Sequence, residues 1–201
     1  VTATLKKGRA AGVVFDPGGR PASGATVILS RLGNRVSSYR PGEFRVSNSE
    51  DKMNTTGADG ASEIPPADGE DRLLAVHRTG FAEMSVETLG DSGKVNLQPW
   101  GRLEGVVTSG GKPLARQRVG LRTPINQSFG DGYTFQYNTT ADRSGRFVFT
   151  NIPPGEHFLV RHVGSPQAGS MDSHRLPVNV GPGETRQVSY TFGGRNVVGF
   201  V

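Results

Sequence analysis

One series of landmarks runs through this chain twice, and that repetition limits the fold more than any other feature. Gly8-Arg9-Ala10-Ala11-Gly12-Val13-Val14 returns as Gly101-Arg102-Leu103-Glu104-Gly105-Val106-Val107. Asp16-Pro17-Gly18-Gly19-Arg20-Pro21 answers to Ser109-Gly110-Gly111-Lys112-Pro113, and Ala25-Thr26-Val27-Ile28-Leu29 to Gln117-Arg118-Val119-Gly120-Leu121. Thr55-Thr56 before Asp59-Gly60 then matches Thr139-Thr140 before Asp142 and Gly145. Ile64-Pro65-Pro66 matches Ile152-Pro153-Pro154, and Leu74-Ala75-Val76 with Gly80 matches Phe158-Leu159-Val160 with Gly164. The order never changes. Gly12 and Gly105 stand 105 − 12 = 93 positions apart, and Gly199 opens what reads as a third round. Val1 to Lys7 sits where Lys94 to Trp100 sits before the next round, so it reads as a lead-in strand or the last strand of a preceding repeat. The chain thus reads as a window of a longer array.

Each repeat reads as strands. With 29 Gly and 13 Pro in 201 residues, few stretches run ten residues without a breaker, and none carries an apolar stripe at helical spacing. Phe81 to Leu89 is the one place where a short helix competes with a strand. Elsewhere the period is two: Val27 and Leu29 alternate with Thr26, Ile28 and Ser30, and Phe147 and Phe149 with Arg146 and Val148. That alternation predicts sheets with one buried face. The Gly-Gly segments supply turns needing positive φ, and the Pro-Pro segments end ladder pairing. About seven short strands per repeat is the count of a small Greek-key sandwich.

The motif Gly12-Val13-Val14, Pro21, Gly24-Ala25, Val27, Leu29, Thr56, Asp59-Gly60, Pro65-Pro66 and Gly80-Phe81 resembles the carboxypeptidase regulatory-like domain. The second round, with Thr140, Asp142, Gly145-Arg146-Phe147, Ile152-Pro153-Pro154-Gly155-Glu156-His157 and Leu159-Val160, resembles it more closely. Arg116-Gln117-Arg118 stands where that family usually has Gly-Ala, and Ala61-Ser62-Glu63 where it usually has an aromatic strand residue. The resemblance implies an all-β chain of two tandem transthyretin-like β-sandwich domains, with no catalytic residues to carry over. It also implies a place outside the cytoplasm, in the cell envelope of a bacterium or secreted.

Several chemistries are excluded. The chain has no Cys, hence no disulfide, thiolate site or cysteine nucleophile. The formal charge is +5, but the 23 Lys and Arg are scattered, without the basic face that marks a nucleic-acid binder. No apolar run approaches a membrane span. Catalytic, phosphate-loop and dinucleotide motifs are absent, and neither a cofactor nor a metal is expected. His77, His157, His162 and His174 lack ligand spacing. The acidic run Asp68-Gly69-Glu70-Asp71 lacks the spacing of a calcium loop and reads as solvated. Asn54, Asn126 and Asn138 fit the glycosylation sequon, two of them because the repeat carries Thr-Thr.

Three groups of side chains remain as ligand-binding candidates. Arg116, Arg118 and Arg122 fall on one face of a strand, opposite Val119 and Leu121. They suit either a charged outer face or an anionic ligand. Each repeat carries an extra segment before its Thr-Thr, Tyr39 to Phe44 in the first and Phe129 to Tyr137 in the second. There Tyr133, Phe135 and Tyr137 alternate after a Gly130-Asp131-Gly132 turn. With Phe129 they offer an aromatic platform for sugar rings, or a hairpin packed on its own sheet. Trp100, the single Trp, lies at the junction and reads as a wedge between repeats or as a ligand platform.

The boundaries that follow are 1–99 and 100–193 for two sandwiches and 194–201 for the start of a third. The expected role is a non-catalytic structural or interaction module, a semi-rigid spacer or display element of a larger protein. Carbohydrate binding through the aromatic hairpin, and service as an accessory to a peptidase in the same parent chain, are the alternatives. The expected partners are neighbouring domains of the parent chain, with polysaccharide or another surface protein beyond them.

Overall fold

The computed structural model describes residues 10–30, 36–40, 43–46, 52–64, 72–89, 92–124, 133–165 and 169–192. The expected lead-in strand 1–7, the third-repeat strand 194–201, the acidic run 68–71 and the turn 130–132 lie outside them. So do Phe129, Asn126 and Pro65-Pro66.

The fold is all-β. In the first repeat β1 (Ala10–Phe15) sits between β6 (Ala61–Ile64) and β9 (Lys94–Asn96). Facing them is a sheet of β10 (Gln98–Pro99), β8 (Gly80–Ser85), β7 (Arg72–His77), β2 (Thr26–Ser30) and β5 (Lys52–Thr55), in that order. In the second, β11 (Gly101–Ser109) pairs with β12 (Lys112–Pro113), β15 (Arg146–Ile152) and β18 (Thr185–Phe192). Its facing sheet runs β17 (Gly169–Val180), β16 (Gly155–Ser165), β13 (Arg118–Arg122) and β14 (Tyr133–Thr140). Two more strands, β3 (Val36–Arg40) and β4 (Glu43–Val46), extend this sheet. They come from the extra segment of the first repeat. Phe81 to Leu89 divides: β8 continues to Ser85, then one helical turn, α1 (Val86–Leu89), follows. The Ser85 hydroxyl accepts the Thr88 N–H at 3.1 Å and caps that turn.

The expected alternation holds in β11 and β15, where Leu103, Val107, Phe147 and Phe149 are buried and Val148 and Thr150 are exposed. It fails in the five-stranded sheet. Ile28, expected on an open face, is buried, as are Leu74 and Val76, alongside the inward Val27, Leu29, Leu73 and Ala75. Val14, Val27, Leu29, Leu73, Ala75 and Val95 form the core of the first repeat. Ile28, Leu74, Val76 and Phe81, on the other face of the same sheet, belong to the core of the second, with Leu103, Leu121 and Leu159. The run Leu73-Leu74-Ala75-Val76 is therefore that of a strand covered on both sides.

The turn before β6 and the turn before β15 match in their backbone bonds. Val14 N–H donates to Gly60 O at 2.9 Å, and Val107 N–H to Gly145 O at 2.8 Å. Gly60 and Gly145 both hold φ of 74°, and a Cβ there would stand 2.6 Å from Val14 O and 2.5 Å from Val107 O. The match sets Thr56 opposite Ala141, one place away from the Thr140 expected by sequence. The difference is visible in bonding: buried Thr56 Oγ1 accepts the Ala25 N–H at 2.8 Å and donates to Ala22 O, which Ala141 cannot do. Gly145→Ala is expected to cost at least about 2 kcal/mol, combining a left-handed backbone with a clash. Urea unfolding of the variant checks this.

Candidate functional site

The junction of the repeats is where the sequence candidates meet structure. Chain reversal brings the extra segment of the first repeat back as a hairpin, with Val36 opposite Val46 and Arg40 opposite Glu43. Strand β3 then pairs in parallel with the start of β14, Tyr133 with Val36 and Phe135 with Ser38. The sheet thus crosses from one repeat to the other. Tyr137 turns inward, 2% exposed, and its hydroxyl lies 3.1 Å from Ser38 Oγ, which donates to Glu43 O at 2.7 Å. Its ring is core, so it cannot stack on a ligand at the surface. Strand β14 gives the backbone of Tyr133 and Phe135; their side chains, like Phe129, lie outside what is described.

Trp100 is half-buried against the second core. Its indole N–H donates to His77 O at 2.8 Å, and its ring meets Phe81 at 5.6 Å between centroids, with Phe44 stacked against Phe81 at 6.3 Å. The backbone on either side is tied too: before it β10 pairs with β8 and Gly183 N–H donates to Pro99 O at 3.2 Å, and after it Gly101 pairs with Ile152. A residue from the linker, one from the hairpin and one from β8 form a single aromatic stack.

The three arginines separate. Arg118 is exposed. Arg116 precedes β13 with φ of 60°, the left-handed conformation that Gly24 takes at φ of 77° in the first repeat. Their bonding is equivalent: Gly24 N–H donates to Thr56 O and Arg116 N–H to Ala141 O, both at 3.1 Å. The turn demands this backbone, and here a residue with a Cβ adopts it. Arg122 is a structural tie. Its Nε donates to Asp172 Oδ2 at 2.7 Å and Nη2 to Asp172 Oδ1 at 3.2 Å, while Nη1 donates to Tyr137 O at 2.9 Å and Nη2 to Asn138 Oδ1 at 2.9 Å. One guanidinium joins β13, β14 and β17. It lies flat over Gly120, where a Cβ would stand 2.6 Å from Nη1. Glycine inside a strand marks such a close approach, and this was the available sequence signal for it.

Sequence reading missed the partners of Arg122. Asp172 also lies 3.0 Å from His162 Nδ1. Burial pushes the Asp172 carboxyl up, but hydrogen bonds from His162 and Arg122 outweigh it and hold the group below the ordinary carboxylate value. The two sit ten residues apart on β16 and β17, beyond a register shift at which His174 takes φ of 51°. That bulge exposes His174 O to the Tyr190 hydroxyl, whose burial raises its pKa. His157 is buried, its Nε2 2.8 Å from Pro153 O, and burial lowers its pKa. Among the described residues, no group of three or more His, Asp or Glu could hold a metal ion, and no helix is long and apolar enough to cross a membrane. An open groove of about 350 Å³ on the outer face of β11, β15 and β18 is lined by Glu104, Val106, Arg146, Val148, Gln187 and Ser189. The Glu104 carboxylate there is already held by Gln187 at 2.9 Å and Arg102 at 2.6 Å.

No protein-family model matches the chain, and no curated protein matches it. Among solved structures it is similar to the minor pilin GBS52 of Streptococcus agalactiae, with 14% identity over 91% of this chain and 88% of that one and a TM-score of 0.45. It is similar to the shaft pilin SpaA of Lactobacillus rhamnosus GG, with 11% identity over 94% and 97% of the two chains and a TM-score of 0.32. It is also similar to the major pilin subunit BcpA of Bacillus cereus, with 11% identity over 86% and 60% and a TM-score of 0.31.

Two measurements follow from this geometry. Arg116→Gly relieves a left-handed backbone and is expected to stabilise the chain by about 1 kcal/mol in urea unfolding. Because the Asp172 pKa is lowered by folding, its contribution is present above the ordinary carboxylate pKa and lost as pH falls through the folded value. Unfolding free energy should therefore decline between about pH 5 and pH 2, with a shallower slope in Asp172→Asn.

Proposed function

We propose that this chain is a non-catalytic structural module: a semi-rigid spacer or display pair, with repeats spanning 1–99 and 100–193, within a larger envelope or secreted protein. The observation that carries the reading is the shared core. Ile28, Leu74, Val76 and Phe81 of the first repeat pack in one cluster with Leu103, Leu121, Phe149 and Leu159 of the second. Linkers between independent domains cross polar interfaces and permit relative motion; an apolar interface of this kind resists it. The parallel pairing of β3 with β14 adds backbone hydrogen bonds to the same junction. The linker itself has no slack, since Pro99 pairs with Gly80 and Gly101 with Ile152. The place outside the cytoplasm rests on the family resemblance of the motifs. Neighbouring domains of the parent chain are the natural partners of such a pair.

Small-angle scattering of the chain should fit one rigid shape rather than an ensemble of two tumbling bodies. A flexible ensemble would remove the basis of the spacer. Trp100→Ala, which removes the linker's ring from the aromatic stack and its N–H bond to His77 O, is expected to cost about 2–3 kcal/mol and to broaden the ensemble.

A further inference from the structure

The ladder that closes the second repeat has a direction. Strand β11 is the first of that repeat and β18 the last of its described strands, and they run parallel, in register from Arg102↔Thr185 to Ser109↔Phe192. Tension along the chain enters β11 at Gly101 and leaves β18 at Phe192, at opposite ends of this ladder. Two parallel strands pulled that way can only slide, so all their hydrogen bonds are strained together. Strands pulled apart from one end open bond by bond. The same two strands are joined by side chains, Glu104 with Gln187 at 2.9 Å and Thr108 with Thr191 at 3.0 Å. Strand β18 is also anchored by its inner face. Tyr190 and Phe192 are buried edge to face at 4.7 Å, and the Arg161 guanidinium lies 4.7 Å from the Phe192 ring centre.

The first repeat has the same arrangement in a shorter form. Strands β1 and β9 are parallel but pair only from Val13↔Lys94 to Phe15↔Asn96, extended by bonds from Val13 N–H to Gly93 O and Leu97 N–H to Phe15 O.

We propose that the second repeat is a force-bearing clamp. The parallel β11–β18 ladder holds against tension passed along the chain, and the first repeat yields before it. This rests on the spacer reading, since a spacer between other domains is the element through which tension passes.

The test is single-molecule stretching of the full chain, which has no Cys to interfere with introduced handles. In one arm it is pulled by its two ends. In the other it is pulled between cysteines at Ser109→Cys and Thr191→Cys, exposed neighbours at one end of the ladder, and the end-pulled chain carries the same two substitutions so that loss of the Thr108–Thr191 contact is common to both arms. Forced unfolding reads the barrier rather than equilibrium stability, so the two directions probe different barriers of one fold, and the second repeat is expected to need at least about twofold more force when end-pulled. Its opening is a step on the order of 300 Å, at about 3.5 Å per residue over Gly101–Phe192. The first repeat should open at lower force.

A proline pair gives a second readout. Arg102 N–H donates to Glu184 O, so by alternation the Val188 N–H faces β11 and the Ser189 N–H faces away. Val188→Pro should lower the end-pulled force, and Ser189→Pro should leave it unchanged. Equal force in both directions, or equal loss in both proline variants, overturns the clamp. If scattering still fits a rigid pair, the spacer reading survives that result. A flexible pair with strong directional resistance would have the opposite meaning.

Discussion

The five-stranded sheet of the first repeat has apolar residues on both faces, and most of the architecture answers to that. A sandwich covers one face of a sheet. The other face, carrying Ile28, Leu74, Val76 and Phe81, would be left in water if the first repeat stood alone. Covering it brings in three things: the hairpin with Val36 and Phe44, the indole of Trp100, and the core of the next repeat. The hydrophobic effect is non-directional, so it brings these surfaces together without choosing an angle. The angle is set by directional bonds, the β3–β14 pairing and the indole N–H on His77 O.

The two repeats share turn geometry closely and differ where the second has taken on polar ties. Gly60 and Gly145 are interchangeable in conformation and in what they touch. Gly24 and Arg116 share a conformation and a backbone bond, but Arg116 carries a Cβ into it. The second repeat also gains the Arg122–Asp172–His162 group on the outside of β13, β16 and β17, with Gly120 clearing room for the guanidinium. A bidentate arginine with further bonds to a backbone carbonyl and an amide is well placed to tie strands together. It is thereby occupied, and less open to an incoming anion than three free arginines on one face would be.

Much of this was legible in the chain. Glycine and proline at matching places predicted the strand boundaries, because positive φ and a missing N–H are local properties that each residue imposes wherever it stands. Gly120 inside a strand marks a close approach that the alternation of Val119 and Leu121 did not single out. Asp172 and His162 carried no signal, because their pairing depends on the register between β16 and β17, which a bulge at His174 shifts. The aromatic segments were recognised as additions to the repeat. Whether Tyr137 faces ligand or core could not be decided by alternation, which assigns residues to a face without saying what covers it.

The sequence by itself therefore determined the repeat, its period, its strands and its turns, since these follow from backbone preferences and from the two-residue periodicity of apolar side chains. Tertiary structure alone decided that the repeats share one core and one sheet. The run Leu73-Leu74-Ala75-Val76 announces a second covered face but not its cover. That cover is supplied by a hairpin at 36–46 and by strands beyond residue 100, and contact between parts so far apart in the chain is a matter of packing and register rather than of local preference.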